Sequence, residues 1–128
     1  MGNGIAQVSA AAGLEVVMID VSDAAVQRGI VAVGTSLDRL VKKEKLSAAD
    51  RSATLGRIRG STRYSDLAAM DLVIEAATEN LDIKRRIVKE AHEVMRPEAI
   101  LATNTSSISI TALANRSRTA GAAAALRV

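Results

Sequence analysis

Three short apolar runs, each closing on a polar side chain, constrain the fold of this chain most strongly. They are Leu14-Glu15-Val16-Val17-Met18-Ile19-Asp20, Asp71-Leu72-Val73-Ile74-Glu75 and Ala99-Ile100-Leu101-Ala102-Thr103. Each is too short for a buried helix and lacks the polar alternation of a half-exposed strand, so each suits a strand covered on both faces. Segments of helical period separate them. Strands alternating with helices predict an α/β fold with a parallel sheet. A weaker extra strand falls near Gly60 to Thr62.

The intervening segments carry their own start and stop signals. An Ala-rich run from about Gly4 to Ala12 puts Ile5, Val8 and Ala12 on one helical face and stops at Gly13, as helices do at a C′ glycine. Ser22 or Asp23 can cap the next helix. Within it Val26, Ile30, Val33, Leu37 and Leu40 form a narrow apolar stripe opposite a charged face. Ser47 and Asp50 read as a capping box opening a second helix, which runs to about Gly60. The two together predict a helical hairpin arm over about 23–59, with a basic tip at Lys42, Lys43 and Lys45. A further helix spans about Asn80 to Met95, with Ile83, Ile87, Ala91 and Val94 on one face, and Arg96-Pro97 ends it. After the third run, the polar loop Asn104 to Ser107 leads into a short helix from about Ile108 to Ala114. The tail, 115–128, shows no period and is read as irregular.

Composition narrows the function classes. The chain has 128 residues, enough for one domain. It has no Cys and one His, His92, which excludes thiolate chemistry and the usual Cys- or His-based zinc sites. Without cysteine a reducing cytoplasm is the expected compartment. No apolar run reaches the ~20 residues of a membrane span, so no membrane association is expected. The net charge is +3, but Tyr64 is the sole aromatic residue. With almost nothing to stack on bases, nucleic acid is not an expected partner. Basic side chains meeting a phosphorylated small molecule account for the charge equally well.

The first segment has the pattern of the back half of a dinucleotide-binding unit. In the full unit a strand leads through Gly-x-Gly-x-x-Gly into a helix, whose N-terminus receives the pyrophosphate. An acid about 20 residues further on takes the ribose hydroxyls. Gly2 fits the last glycine, and Asp20 follows at about that distance. An acid there favours NAD over NADP, because it repels a 2′-phosphate. Taken alone, a flexible start and a solvated strand-end Asp account for these residues as well.

Four stretches are more specific: Met1-Gly2-Asn3-Gly4-Ile5-Ala6-Gln7, Val16 to Asp20, Leu72-Val73-Ile74-Glu75-Ala76-Ala77-Thr78-Glu79-Asn80, and Ala102-Thr103-Asn104-Thr105-Ser106-Ser107-Ile108. On these the chain, from Gly2 to about Leu113, resembles the N-terminal domain of the 3-hydroxyacyl-CoA dehydrogenases, especially bacterial 3-hydroxybutyryl-CoA dehydrogenases. The resemblance implies a Rossmann-type parallel sheet with helices on both faces, NAD as cofactor, and oxidation of the 3-hydroxyl of an acyl-CoA. It implies Gly2 and Gly4 at the cofactor turn and Asp20 on the adenosine ribose. It implies Glu79 and Lys84 near the nicotinamide end, Asn104 by the nicotinamide ribose, and Ser106 on the reacting oxygen of the substrate. Ser36 and Lys43, on the arm, match positions that touch the CoA portion. Helix capping by Asn104 to Ser107 and a solvated basic face at Lys43 remain alternative readings.

The match also departs from the family. The family's catalytic histidine lies beyond the serine matched by Ser106, on a strand followed by a Phe-Phe-Asn-Pro segment that this sequence lacks. The resemblance also implies a first strand of the sheet that is expected ahead of Gly2 and has no counterpart in these residues. We therefore expect residues 1–114 to form a truncated NAD-binding domain lacking its first strand. The start at Met1 and the change after Asn115 read as a late start codon and a shifted frame. The chain alone is expected to be inactive, and to be unstable or to pair exposed strand edges with another copy as a homo-oligomer. A non-catalytic nucleotide- or CoA-binding module and a helical interaction protein using the Val26 to Leu40 stripe are the alternative functions.

Overall fold

A computed structural model describes residues 2–77, 80–104 and 125–127, the last three by backbone alone. It divides into two compact units, Met1–Arg63 and Tyr64–Val128.

The first unit is built from α1 (Gly2–Ala11), β1 (Val16–Ile19), α2 (Asp23–Lys42), α3 (Ala48–Gly56) and β2 (Ile58–Ser61). β1 and β2 pair in parallel, with Val16 opposite Ile58 and Ile19 opposite Ser61. The predicted extra strand thus exists, shifted toward the N-terminus. Its Ile-Arg-Gly-Ser sequence carries too little apolar character to declare itself, and pairing with β1 supplies what the pattern lacks.

Local chemistry explains the helix ends. α1 closes on Gly13, whose φ of 95° is left-handed. The amide of Leu14 donates to Ser9 O (3.2 Å) and that of Gly13 to Ala10 O (3.0 Å), the two bonds of a Schellman cap. Ser22 caps α2 by accepting from Ala25 N at 3.2 Å, and Ser47 caps α3 by accepting from Asp50 N at 3.0 Å. α2 ends in a second Schellman cap, in which Glu44 N donates to Val41 O (3.0 Å) and Lys45 N to Leu40 O (2.9 Å). Here the left-handed position, φ 54°, is taken by Glu44, not by glycine.

The core of this unit is Ala6, Ala10, Val33, Leu37 and Ile58, with Val16, Met18, Ile30, Leu40, Leu46 and Leu55 packed against it. Two expectations change. α1 buries Ala6 and Ala10, whereas Val8 is 70% exposed and Ala12 is exposed. Alanines let α1 come close to its neighbours, so the larger side chains are left on the outer face. The Val26 to Leu40 stripe is not a free surface, since Val26, Val33 and Leu37 are buried within this unit. A stripe already spent on the chain's own core cannot also serve an outside helix, and the helical-interaction reading falls with it.

Glycine sets the tightest approaches. A Cβ on Gly60 would run into Val26 Cγ1, so α2 rests on the backbone of β2 at that point. A Cβ on Gly29 would lie 2.8 Å from Met18 Cε and 2.9 Å from Asn3 Oδ1. α2, β1 and the first turn of α1 therefore meet over Gly29.

The second unit runs through a 3-10 helix (Tyr64–Ala69), β3 (Leu72–Glu75), α4 (Leu81–Val94), β4 (Ile100–Thr103) and β5 (Ala125–Arg127). All strands are parallel, in the order β3-β4-β5. Glu75 is opposite Thr103 in the register, and Thr103 is opposite Arg127. The tail, expected to be irregular, supplies β5. Three residues are too few to show a period, and β4 provides their hydrogen-bonding template. Asn80 caps α4 by accepting from the amides of Asp82 and Ile83, both at 3.1 Å.

α4 turns a different face inward from the one predicted. Lys84, Val88 and Ala91 are buried, whereas Ile83 is half exposed. The buried face is rotated by about one residue because a lysine, which no apolar pattern counts as core, occupies its first turn.

Candidate functional site

In the first unit the candidate cofactor residues gather at the carboxyl end of β1. α1 packs on β1 and runs back against it, which brings its first turn to the end where β1 finishes. The shared approach of Asn3 and Met18 to Gly29 marks that junction. Gly2 and Gly4 lie in this turn, exposed, with nothing within 4 Å of a Cβ built on either. The first turn of α1 carries no acidic residue. Its free amides and the positive end of the helix dipole are thus open to an anion. Asp20 follows β1 directly, is exposed, and accepts from Val21 N at 2.7 Å. Open backbone beside a helix N-terminus, with a carboxylate at the strand end, fits the pyrophosphate and ribose of a dinucleotide.

Ser36 and Lys43 lie further along the same unit. Ser36 is half-buried on α2, and Lys43 is the exposed residue that caps its C-terminus. Two helical turns, about 10 Å, separate them on one face. Arg51 Nε donates to Asp38 Oδ1 at 2.9 Å and joins the two helices of the arm. As an exposed pair it contributes roughly 0–1 kcal/mol.

In the second unit the corresponding strand end is organised around one carboxylate. Glu75 is the last residue of β3 and Thr103 the last of β4, and as register partners their side chains point to one face. α4 covers that face and delivers Lys84. Lys84 Nζ donates to Glu75 Oε2 and, at 3.5 Å, reaches Thr103 Oγ1. Thr103 Oγ1 donates to the same Oε2 at 2.8 Å, and Ala77 N donates to Oε1 at 2.9 Å. The side chains of Lys84 and Glu75 are 0% and 1% exposed. Burial pushes the Glu75 carboxyl upward. The hydrogen bonds from Lys84, Thr103 and Ala77 N, with the charge of Lys84, outweigh burial and hold it below the usual glutamate value.

Lys84 is thus enclosed, and it meets a buried carboxylate. Asn104, half-buried, follows β4 and donates its amide to Glu75 O at 2.8 Å. Glu79 and Ser106 lie outside the described residues, as does the expected helix from Ile108 to Ala114. The single histidine of the chain, His92, lies in the last turn of α4. Eight residues of helix, about 12 Å, carry it from Lys84 toward the opposite end of the strands. Sequence reading missed the Glu75–Lys84–Thr103 cluster. Its signal was an acid closing one apolar strand, a threonine closing the next, and a lysine on the helix between them. Among the described residues no group of three or more His, Cys, Asp or Glu could hold a metal ion. No described helix is long and apolar enough to cross a membrane.

Comparison with known proteins gives consistent results. Residues 1–126 match the family described as 3-hydroxyacyl-CoA dehydrogenase, NAD binding domain. A 3-hydroxybutyryl-CoA dehydrogenase of Bradyrhizobium diazoefficiens is 46% identical over 114 residues, which make up 89% of this chain and 39% of that protein. The fatty acid oxidation complex subunit alpha of Psychrobacter cryohalolentis is 40% identical over 114 residues, 16% of its length. The crystal structure of an (S)-3-hydroxybutyryl-CoA dehydrogenase from Ralstonia eutropha superposes with a TM-score of 0.88 at 60% identity, over 90% of this chain and 41% of that one. This chain therefore spans well under half the length of these relatives.

Proposed function

This chain belongs to the 3-hydroxyacyl-CoA dehydrogenase family and carries its NAD-binding domain, and we propose that it holds the dinucleotide for oxidation of the 3-hydroxyl of an acyl-CoA. The observation that carries this reading is the exposed Asp20, standing directly after β1 on the unit whose first helix opens on Gly2. Its carboxylate suits two ribose hydroxyls, and the amides of the first turn of α1 suit the pyrophosphate. Gly2 and Gly4 keep that turn free of side chains.

Glu79 and Lys84 are proposed at the nicotinamide end, Asn104 at the nicotinamide ribose, and Ser106 as hydrogen-bond donor to the reacting oxygen. Bound NAD supplies a hydride acceptor. Removal of the hydroxyl proton needs a base with a pKa near the working pH. His92 does not suit that role, being at the far end of α4 from Lys84. The chain by itself is therefore proposed to bind without turnover. Ser36 and Lys43 are proposed to meet the CoA portion, a cation facing phosphate. The proposed domain takes in residues 1–114 together with β5 of the tail, which pairs with β4, and carries the arm at about 23–59. A cytoplasmic setting, an acyl-CoA substrate and assembly with further copies complete the proposal.

The test is an NADH fluorescence titration of the purified chain, which has no Trp to interfere. Saturable binding, weakened severalfold by Asp20→Ala and without conversion of 3-hydroxybutyryl-CoA, is the expected result. A folded chain that leaves NADH emission unchanged overturns the proposal.

A further inference from the structure

Four hydrogen bonds converge on Glu75, at the point where two chain segments leave the sheet. Oε2 accepts from Lys84 and Thr103, Oε1 from the amide of Ala77, and the carbonyl oxygen from the amide of Asn104. The Glu75 side chain therefore ties the segment leaving β3, through Ala77, to the end of β4, through Thr103, and the backbone bond from Asn104 continues the parallel ladder just beyond that point. The side chain of Glu75 is buried and so are its two side-chain partners, which makes the arrangement expensive to leave half satisfied. Packing alone does not call for such a group. An apolar trio of the same volume fills that space without the desolvation of two charges. What an apolar trio cannot do is accept the Ala77 amide and fix that segment in one place.

We propose that Glu75 is a positioning residue that fixes the segments after β3 and β4 relative to each other, with Lys84 and Thr103 acting through it. This rests on the functional reading above, in which those two segments carry the contacts to the nicotinamide end. Lys84 then contributes to that end indirectly. Its ammonium holds the carboxylate in the rotamer that receives Ala77, and its own charge is neutralised in the interior. Thr103 fixes the same oxygen from the neighbouring strand. Asn104 follows Thr103 directly, and its backbone bond to the carbonyl of Glu75 carries the ladder one residue past that anchor.

The experiment combines amide hydrogen exchange with NADH titration of the full chain, using Thr103→Val, Thr103→Ser and Glu75→Gln. Valine keeps the shape of threonine and removes the donor. Glutamine keeps the shape of glutamate and removes the charge. In Thr103→Val and Glu75→Gln we expect exchange at Ala77, whose amide is bonded to the Glu75 side chain, to quicken by roughly tenfold. In Thr103→Val, which leaves both charges in place, the amides of Val88 and Ala91 in the same unit, and of Leu37 in the other, keep their wild-type rates, whereas in Glu75→Gln Ala77 quickens beyond the general rise that the uncompensated Lys84 brings to the second unit. NADH affinity falls severalfold in both variants, and Thr103→Ser restores binding and protection together.

Uniform acceleration across the second unit in Thr103→Val, or wild-type exchange at Ala77 in either variant, overturns the proposal. So does unchanged NADH affinity in variants whose Ala77 amide is freed. If the wild-type chain does not bind NADH at all, the functional reading fails separately. The exchange at Ala77 then still decides whether the Glu75 side chain holds the segment after β3 against the end of β4.

Discussion

The hydroxyl of Thr103 donates to Oε2 of Glu75 at 2.8 Å, and each residue is the last of its strand. The parallel register that places them side by side gives the Lys84 ammonium a buried site at the strand ends. Removing one partner of such a cluster leaves an uncompensated charge, which costs about 3–5 kcal/mol. Lys84→Met is therefore expected to lower stability by about that amount in urea unfolding. The double variant Lys84→Met with Glu75→Leu is expected to recover most of the loss, because both charges leave together. A double variant as unstable as the sum of its singles contradicts this account.

The same cluster sets an acid limit. The folded-state pKa of Glu75 is held below its ordinary value, so the unfolded chain binds the proton more readily. The resulting stability is fully present above the unfolded glutamate pKa of about 4.3 and is lost as pH falls through the lower folded value. In thermal melts across pH, wild type and Glu75→Gln should differ most above about pH 5 and converge as acid protonates Glu75. A gap between them that stays constant down to low pH assigns the effect of the substitution to packing.

Much of the fold was legible because buried parallel strands announce themselves. Val16–Ile19, Leu72–Glu75 and Ile100–Thr103 all fall within the predicted apolar runs. Ser22, Ser47, Asn80 and Gly13 mark helix ends through chemistry confined to a few neighbouring residues. β2 and β5 were hard to see for the opposite reason, since their pairing partners define them more than their own side chains do. The inward turn of Lys84 was invisible to periodicity, because a lysine counts as core only once its carboxylate is known. The place of Asp20 at the end of β1 could be read from the sequence pattern. Glu75 could not, as its role depends on residues nine and 28 positions away.

Glycines in the first unit separate into two kinds. Gly34 is buried in α2, but a Cβ there would meet Arg51 at 3.9 Å and Leu55 at 4.0 Å, ordinary contact distances. Gly34→Ala is expected to stabilise the chain by up to about 1 kcal/mol through helix propensity. Gly60→Ala drives its methyl into Val26 and is expected to destabilise by about 1–3 kcal/mol. Combining Gly60→Ala with Val26→Ala should cost less than the sum of the two, as the removed Cγ1 is the atom struck. Thermal melts of wild type and the four variants check the set, and equal effects at Gly34 and Gly60 contradict the packing described.

Glu44 sits where the Schellman cap of α2 requires a left-handed backbone, at φ 54°. For a residue with a Cβ that conformation costs roughly 1–2 kcal/mol, whereas glycine adopts it without strain. Glycine also gives the unfolded chain more freedom, which returns part of the gain. The net expectation for Glu44→Gly is a stabilisation of about 0.5–1 kcal/mol. Glu44→Ala, which keeps the Cβ, should gain nothing from the backbone. The side chain of Glu44 is exposed beside Lys42, Lys43 and Lys45. Removing its charge leaves this end of the arm more basic in both variants. Comparing the two variants at low and high salt therefore separates the backbone effect, which salt leaves alone, from the electrostatic one, which it screens. An advantage of Gly over Ala that persists at high salt is the expected result, and its absence removes Glu44 as a site of backbone strain.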